Sequence, residues 1–271
     1  MSHDPLFQVD RQVIVITGGS GVLCGAMAQG LSERGAYVGV LGRTASKVEA
    51  RVRRIEAVGG TALPLVCNVL DRAQLEAARQ TVLDRWGRID VLINGAGGNR
   101  AGATIGPEAR FFDASIEAFQ QVFDLNLNGT ILPSMVFGAA MEGTGSIINI
   151  SSMAADRAIT RIAGYSMAKT AVDSFTRWLA VELATKYGGG IRVNAIAPGF
   201  FLSEQNRSLL TREDGSPTPR AQSILDNTPV GRFGEADELI GTTIWLASAA
   251  SKFVTGIVVP VDGGFSAWSG V

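Results

Sequence analysis

Short, continuous apolar runs alternate along the chain with longer segments in which apolar residues recur every three or four positions. The first pattern is typical of strands buried on both faces of a parallel sheet, and the second is typical of amphipathic helices. Their alternation predicts βαβ units and therefore a doubly wound sheet. The predicted strands cover 13–17, 37–41, 61–66, 89–94, 145–151, 191–197 and 257–261. The predicted helices cover 22–34, 45–57, 72–86, 115–141, 162–186 and 236–248.

One segment, 203–229, interrupts this alternation with charged residues, Gly215, Pro217 and Pro219. It follows the sixth predicted strand, at the sheet edge where right-handed crossovers place ligands. A long irregular segment in a compact domain is either a functional loop or a solvated insertion. We therefore predict one α/β domain over 1–271. Its fold is a Rossmann-type doubly wound parallel sheet of about seven strands with helices on both faces, and 203–229 forms a substrate lid.

The composition narrows the class of protein. The 24 basic and 25 acidic residues leave a net charge of −1, which argues against nucleic-acid binding. No apolar run reaches the roughly 18 residues of a membrane span, and the two cysteines form no disulfide framework. We therefore expect a soluble, cytoplasmic protein that does not bind a membrane. His3 is the only histidine, which excludes histidine triads, and no residue spacing predicts a metal site, so catalysis needs another proton carrier.

A glycine-rich turn, Thr17-Gly18-Gly19-Ser20-Gly21, follows the first predicted strand and opens a helix. Glycine lets the backbone approach a pyrophosphate closely, and the helix start favours an anion. Alone, such a turn is equally consistent with an ordinary tight connection.

Further motifs make the chain resemble the short-chain dehydrogenase/reductase family over nearly its whole length. Thr17-Gly18 resembles the start of that family's cofactor motif, and Asn94-Gly95-Ala96-Gly97 resembles its fourth-strand motif. Pro198-Gly199 resembles the end of its sixth strand, and 255–264 resembles its C-terminal signature. The chain departs from the family in one place, because Val22 and Cys24 occupy the last two glycine positions of T-G-x-x-x-G-x-G. We expect the phosphate-binding turn to persist with shifted geometry.

The resemblance implies a nicotinamide dinucleotide cofactor. An acid at the end of the second strand normally holds the adenosine ribose of NAD, whereas a nearby arginine accommodates the NADP phosphate. Gly42 stands in the acid's place and Arg43 follows, so NADP(H) is favoured and NAD(H) is the alternative. The expected cofactor contacts are Gly18, Ser20, Gly21, Val22, Leu23, Arg43, Asn68, Val69, Asn94, Ala96, Gly97, Tyr165, Lys169, Pro198, Gly199, Phe201 and Ser203.

Tyr165 and Lys169 are four residues apart in a predicted helix, which puts them on one face, one turn apart. A nearby ammonium stabilises a phenolate, so we expect Lys169 to lower the pKa of Tyr165 from about 10. Ser152, at the end of the fifth strand, offers a hydroxyl to a substrate oxygen. Its neighbour Ser151 is an alternative, and the family resemblance selects Ser152.

Asn126 falls in the middle of the fourth predicted helix. Because its amide competes with the backbone, we expect a local distortion there, and a helix-bending residue without chemistry is the alternative. The resemblance implies that Asn126 joins Ser152, Tyr165 and Lys169 as the catalytic set, in a proton relay through water to the lysine.

A narrower resemblance indicates the substrate. Residues 94–99, 199–207 and 265–271 are similar to a subgroup named for D-mannonate oxidoreduction, which implies interconversion of D-mannonate and D-fructuronate. A guanidinium matches the carboxylate of such a sugar acid bidentately, although each arginine alone is equally consistent with a solvated charge. The expected substrate contacts are Asn99, Arg157, Gln205, Asn206 and Arg207.

Two alternatives stay open. One is an enzyme like gluconate 5-dehydrogenase or a reductase for other carbonyls, and the other is a catalytically silent dinucleotide-binding sensor or scaffold. The resemblance also implies a homotetramer, with contacts through the long fourth and fifth helices and the last strand.

Overall fold

The computed structural model describes residues 4–141, 143–202 and 210–270. Seven parallel strands within these ranges form one sheet in the order 3-2-1-4-5-6-7. The strands are β1 Val13–Thr17, β2 Tyr37–Gly42, β3 Thr61–Val66, β4 Val91–Asn94, β5 Gly145–Ile150, β6 Ile191–Pro198 and β7 Val258–Val261. The order reverses between β1 and β4, and ligands of doubly wound sheets bind at this reversal, outside the carboxyl ends of the strands. The predicted fold class is confirmed.

The described part of the chain forms eight α-helices. They are α1 Val22–Ser32, α2 Ala45–Ala57, α3 Arg72–Trp86, α4 Ile116–Phe123, α5 Gly129–Gly138, α6 Ala163–Tyr187, α7 Pro219–Asp226 and α8 Glu238–Ala247. Helices α1, α2 and α8 bury apolar side chains against one face. Helices α3, α5 and α6 do the same on the other face. None of the described helices combines the length and apolar character that a membrane span needs.

The predicted single helix over 115–141 is wrong, because the chain forms two helices there. A π-helical turn, Asp124–Asn128, separates α4 from α5. The side-chain amide of Asn126 donates to the carbonyl of Val122 at 2.8 Å, and the Thr130 hydroxyl donates to the carbonyl of Asn126 at 2.8 Å. Side chains thus replace part of the backbone ladder, and the predicted distortion at Asn126 is confirmed.

The predicted irregular segment 203–229 contains one regular element among its described residues. Helix α7 begins after Thr218, whose hydroxyl accepts from the backbone N–H of Ala221. Leu210 and Ile224 pack against Phe200 and other apolar residues near the end of β6. Residues 203–209 of the predicted lid lie outside the described residues.

Candidate active site

The turn after β1 is built from backbone contacts that glycine permits. Gly18 has a φ of +68°, and a Cβ on it would lie 2.7 Å from the carbonyl oxygen of Gly95. The N–H of Gly19 donates to Leu41 at 3.1 Å, which ties the turn to β2. Gly21 begins α1 without a side-chain cap. The first amides of α1, at Val22 and Leu23, therefore offer the anion-binding geometry that a dinucleotide pyrophosphate needs.

Cys24, which replaces the last glycine of the motif, is buried against Gly95 of the loop after β4. A Cβ on Gly95 would overlap the Sγ of Cys24. The Thr17 hydroxyl accepts from the N–H groups of Gly95 and Ala96 at 3.0 and 3.1 Å and holds this loop against β1. The larger residue at 24 is thus accommodated by the missing side chain at 95.

Two arginines lie near the carboxyl end of β2. Gly42 leaves room for Ser20, because a Cβ there would lie 2.9 Å from the Ser20 Oγ. Arg43 follows and is exposed. The sequence interpretation missed Arg51 on α2, whose guanidinium lies against Gly25 so closely that a Cβ there would overlap it. Its Nη2 donates to the carbonyl of Gly21 at 3.5 Å, and partial burial, followed by the charge of Arg54, lowers the pKa of Arg51.

Three of the proposed catalytic groups, Ser152 after β5 and Tyr165 and Lys169 on α6, come together. The Nζ of Lys169 donates to the carbonyl of Ile150 at 2.7 Å and lies 5.6 Å from the centre of the Tyr165 ring. The Ser152 hydroxyl lies close enough to the Tyr165 phenol to act on its ionisation. The same Ser152 hydroxyl also accepts from the N–H of Ala154 at 3.2 Å. Geometry therefore brings Ser152, rather than Ser151, to the tyrosine.

The expected lowering of the Tyr165 pKa is wrong for the protein alone. Burial raises the pKa of Tyr165, and the nearby Ser152 hydroxyl only partly opposes this. Burial also lowers the pKa of Lys169 to about 8, and the nearby acidic groups Cys24 and Asp173 only partly oppose this. Both charged forms are disfavoured because both groups are removed from water. Near neutral pH the pair is a neutral phenol beside an ammonium, which suits donation of a proton to a substrate oxygen.

Asn126 fastens the loop after β4 beside this pair. Its amide donates to the carbonyl of Gly98 at 2.9 Å, and its Oδ1 accepts from the N–H of Gly98 at 3.0 Å. A Cβ on Gly97 would lie 2.6 Å from the Asn126 Oδ1 and 3.3 Å from the Lys169 Nζ. The π turn thus positions this loop directly against the lysine.

The other predicted cofactor residues lie at the same sheet edge. The Asn94 amide donates to Ser134 and Asn149 at 2.9 Å each, so this side chain joins a buried polar network. The Asn68 Oδ1 accepts from the N–H of Leu70, and Val69 is buried. A Cβ on Gly199 would lie 2.6 Å from the Cα of Asp262, so the chain leaves the sheet tightly after Pro198. Phe201 is buried, and Ser203 lies outside the described residues.

The predicted substrate residues are only partly described. The Asn99 amide donates to the Thr104 hydroxyl at 2.8 Å. The Arg157 Nε donates to the carbonyl of Ser266 at 3.0 Å, which fastens the C-terminal segment to the loop after β5. Gln205, Asn206 and Arg207 lie outside the described residues.

A pair of arginines that the sequence interpretation missed lies near the same loop. Arg220 on α7 donates to the hydroxyl and the carbonyl of Thr160, at 3.1 and 3.4 Å. Arg161 has a φ of +77°, a strained conformation for a side chain of this size. Burial and the charge of Arg161 lower the pKa of Arg220. Within the described ranges neither arginine has a carboxylate within 4.0 Å.

The fold and this site define a class of protein, the nicotinamide dinucleotide-dependent oxidoreductases that act on CH–OH groups. A family model described as "Enoyl-(Acyl carrier protein) reductase" matches residues 21–266. The chain belongs to the short-chain dehydrogenase/reductase family.

Named relatives are consistent with this assignment. The chain is 48% identical over 268 residues to the "Uncharacterized oxidoreductase UxuB" of Bacillus subtilis (strain 168), covering 95% of each chain. A crystal structure of a "putative D-Mannonate oxidoreductase" from Haemophilus influenzae with bound NAD matches with 43% identity and a TM-score of 0.92, over 97% of this chain and 98% of that one. A gluconate 5-dehydrogenase from Burkholderia cenocepacia J2315 with NADP and tartrate matches with 33% identity and a TM-score of 0.85, over 97% and 98%. A nicotinamide dinucleotide cofactor is therefore supported.

Proposed function

We propose that this enzyme interconverts the secondary alcohol and the ketone of a sugar acid, with D-mannonate and D-fructuronate as the substrate pair. The observation that supports the reaction type is the grouping of Ser152 and Tyr165 with the buried Lys169 at the carboxyl edge of the sheet, beside the glycine turn. The bound cofactor supplies the hydride, and the chain supplies position and the proton.

Each catalytic residue has a distinct role in this proposal. The Tyr165 phenol gives its proton to the carbonyl oxygen during reduction and takes it back during oxidation. The Ser152 hydroxyl, which lies next to the phenol, orients the same oxygen. The Lys169 ammonium stabilises the phenolate that remains, and Asn126 positions the loop that packs against the lysine.

We propose a preference for NADP over NAD. Arg43 and Arg51 support it, because no acid stands at the end of β2 to hold the ribose, exposed Arg43 follows that strand directly, and the Arg51 guanidinium lies against the start of α1. The related structures contain NAD in one case and NADP in another, so the preference rests on these residues. We expect Arg43→Ala and Arg51→Ala to raise the KM for NADP at least about tenfold, since charge-assisted bonds contribute about 1.5–3 kcal/mol. The KM for NAD should change little, and unchanged values for NADP would reject the preference.

The acid substrate is supported by the names of two related structures and by the arginine pair. Arg161 and Arg220 are two cations without a described acidic partner, close to the loop that joins Ser152 to Tyr165. We propose that they meet the substrate carboxylate. Arg220→Ala should raise the KM for fructuronate more than for a neutral ketose, whereas Arg212→Ala, an exposed arginine of the same segment, should not.

A turnover screen tests the substrate assignment directly. Purified enzyme is offered fructuronate, 5-ketogluconate, a 3-ketoacyl thioester and a steroid ketone with either cofactor. Preference for fructuronate supports the proposal, and preference for 5-ketogluconate supports a gluconate 5-dehydrogenase-like enzyme, as the name of the Burkholderia relative suggests. Cofactor binding without turnover on any substrate would favour a silent dinucleotide-binding protein.

We also propose a homotetramer located in the cytoplasm. Trp178 and Val181 on α6 and Met135 on α5 are exposed apolar residues, 59%, 64% and 57% accessible, on helices that cover the same face of the sheet. The free, buried cysteines Cys24 and Cys67 suit a reducing compartment. Light scattering tests the assembly: Trp178→Glu should release smaller species, and an unchanged mass would reject this interface.

A further inference from the structure

Asp173 is a buried carboxylate to which the proposed reaction assigns no role. It follows Lys169 by one turn of α6, as Lys169 follows Tyr165, so these three side chains share one helix face. Asp173 is 8% exposed and Lys169 is 4% exposed. Aspartate is almost never buried to this degree unless it is paired.

The surroundings of Asp173 do not provide an ordinary structural partner. Its Oδ1 is buried without a hydrogen-bond partner among the described residues, and so is the Oγ of Ser151. Burial raises the pKa of Asp173, and the hydroxyl of Ser151, which directly precedes Ser152, lies close enough to oppose this rise in part. In the described part of the chain Asp173 has no cation within 4.0 Å. An incompletely satisfied carboxylate costs stability, which suggests that it is kept for function.

The charged groups around Asp173 indicate which neighbouring residue its carboxylate acts on. Arg177 lies one turn further along α6 toward solvent, Lys169 lies one turn back toward the active site, and Asp156 lies after β5. Only Lys169 is a buried cation beside the reacting groups. On its other side, Lys169 faces Cys24 of α1, and burial raises the pKa of that thiol to about 12. The thiol is therefore neutral when Lys169 titrates near 8, which leaves Asp173 as the carboxyl group among the described residues that raises the pKa of Lys169.

We propose that Asp173 is a positioning residue that keeps Lys169 in its ammonium form, and through it keeps Tyr165 able to exchange a proton with substrate. This inference rests on the proposed function, because it assumes that Lys169 must be charged during turnover. Asp173 lies about 12 Å along the helix axis from Tyr165, two turns away, so it acts through the lysine rather than on substrate.

The test is the pH profile of kcat/KM for Asp173→Asn, an isosteric and neutral variant, with whichever substrate the wild type turns over best. Loss of the carboxylate should move the alkaline limb to lower pH by about half a unit to one unit, as expected for a neighbouring charge at one-turn distance. The unfolding midpoint should stay the same or rise, because an incompletely paired carboxylate is removed. A residue with a merely structural role would lower the midpoint and leave the limb in place.

Asp156→Asn is the matched control, because it removes an acid of the same charge that is exposed to solvent. We expect its alkaline limb to coincide with that of the wild type. Coinciding limbs for Asp173→Asn and wild type, or equal shifts in both variants, would overturn the inference. Tyr165→Phe distinguishes failure of the proposed function from failure of this inference. If this variant stays fully active, the assigned reaction is wrong, whatever the result for Asp173→Asn.

Discussion

The contact between Gly95 and Cys24, which stands at a glycine position of the cofactor motif, can be measured as a coupling between two substitutions. Gly95→Ala directs a Cβ onto the Sγ of Cys24 and to 3.0 Å from the carbonyl oxygen of Thr17. Overpacking of a buried site costs about 1–3 kcal/mol. We therefore expect the free energy of unfolding to fall by about that amount, and cofactor affinity to fall as well, because Gly95 packs against Gly18 of the phosphate-binding turn.

Cys24→Ala removes the Sγ and leaves a small space, at a cost of about 1 kcal/mol. In the double variant the new Cβ at position 95 enters this space. We expect the double variant to be about 1–2 kcal/mol more stable than the sum of the two single losses predicts. Thr17 keeps the relief incomplete, because its carbonyl oxygen remains close to the new Cβ.

Urea unfolding followed by tryptophan fluorescence measures this coupling, and calorimetric titration of the cofactor measures its effect on binding. Cys67→Ala is the control, because Cys67 is the other buried cysteine. Its combination with Gly95→Ala should be additive. Additive losses in the Cys24 cycle would refute the reasoning that the side chain at position 24 and the absence of one at position 95 compensate each other.

Three further predictions concern the site. Asn126→Ala loses three hydrogen bonds at about 1 kcal/mol each, so its free energy of unfolding should fall by about 2–3 kcal/mol. The exposed control Asn128→Ala should lose far less, and equal losses would contradict the role of Asn126 in holding the loop after β4. Because Lys169 is charged below its pKa of about 8 and neutral above it, kcat/KM for reduction should fall above about pH 8, and Lys169→Arg should move this limb upward; an unmoved limb would contradict the assignment. Gly25→Ala should displace Arg51 and raise the KM for NADP as Arg51→Ala does, and an unchanged KM would contradict the role of this guanidinium.

The sheet could be predicted closely because its strands are buried on both faces and read as continuous apolar runs. The prediction failed where side chains replace backbone hydrogen bonds. Asn126 signalled the distortion that divides α4 from α5, but only its long-range bonds to Gly98 fix the π turn. Helix α7 was missed because the prolines and charged residues around it are typical of irregular segments and the helix has only eight residues. Thr218 before Pro219 is nevertheless an ordinary helix start.

Site residues that belong to sequence motifs were predicted, and those that reach the site only through tertiary packing were missed. Spacing gave Tyr165 and Lys169, and the same spacing repeated once more would have given Asp173. Arg51 could not be found in this way, because its position against Gly25 depends on how α2 packs on α1. Burial explains the remaining error, since spacing alone does not reveal that desolvation raises the pKa of Tyr165.

Tyr165→Phe tests the central claim most directly, because it removes the proton-carrying hydroxyl and keeps the ring. Tyr187→Phe, an exposed tyrosine at the end of the same helix, is the control. We predict that kcat/KM for the preferred alcohol–ketone pair falls by at least about a hundredfold in Tyr165→Phe, as expected for loss of a general acid. The unfolding midpoint should stay close to that of the wild type. Turnover at the wild-type rate would contradict the account.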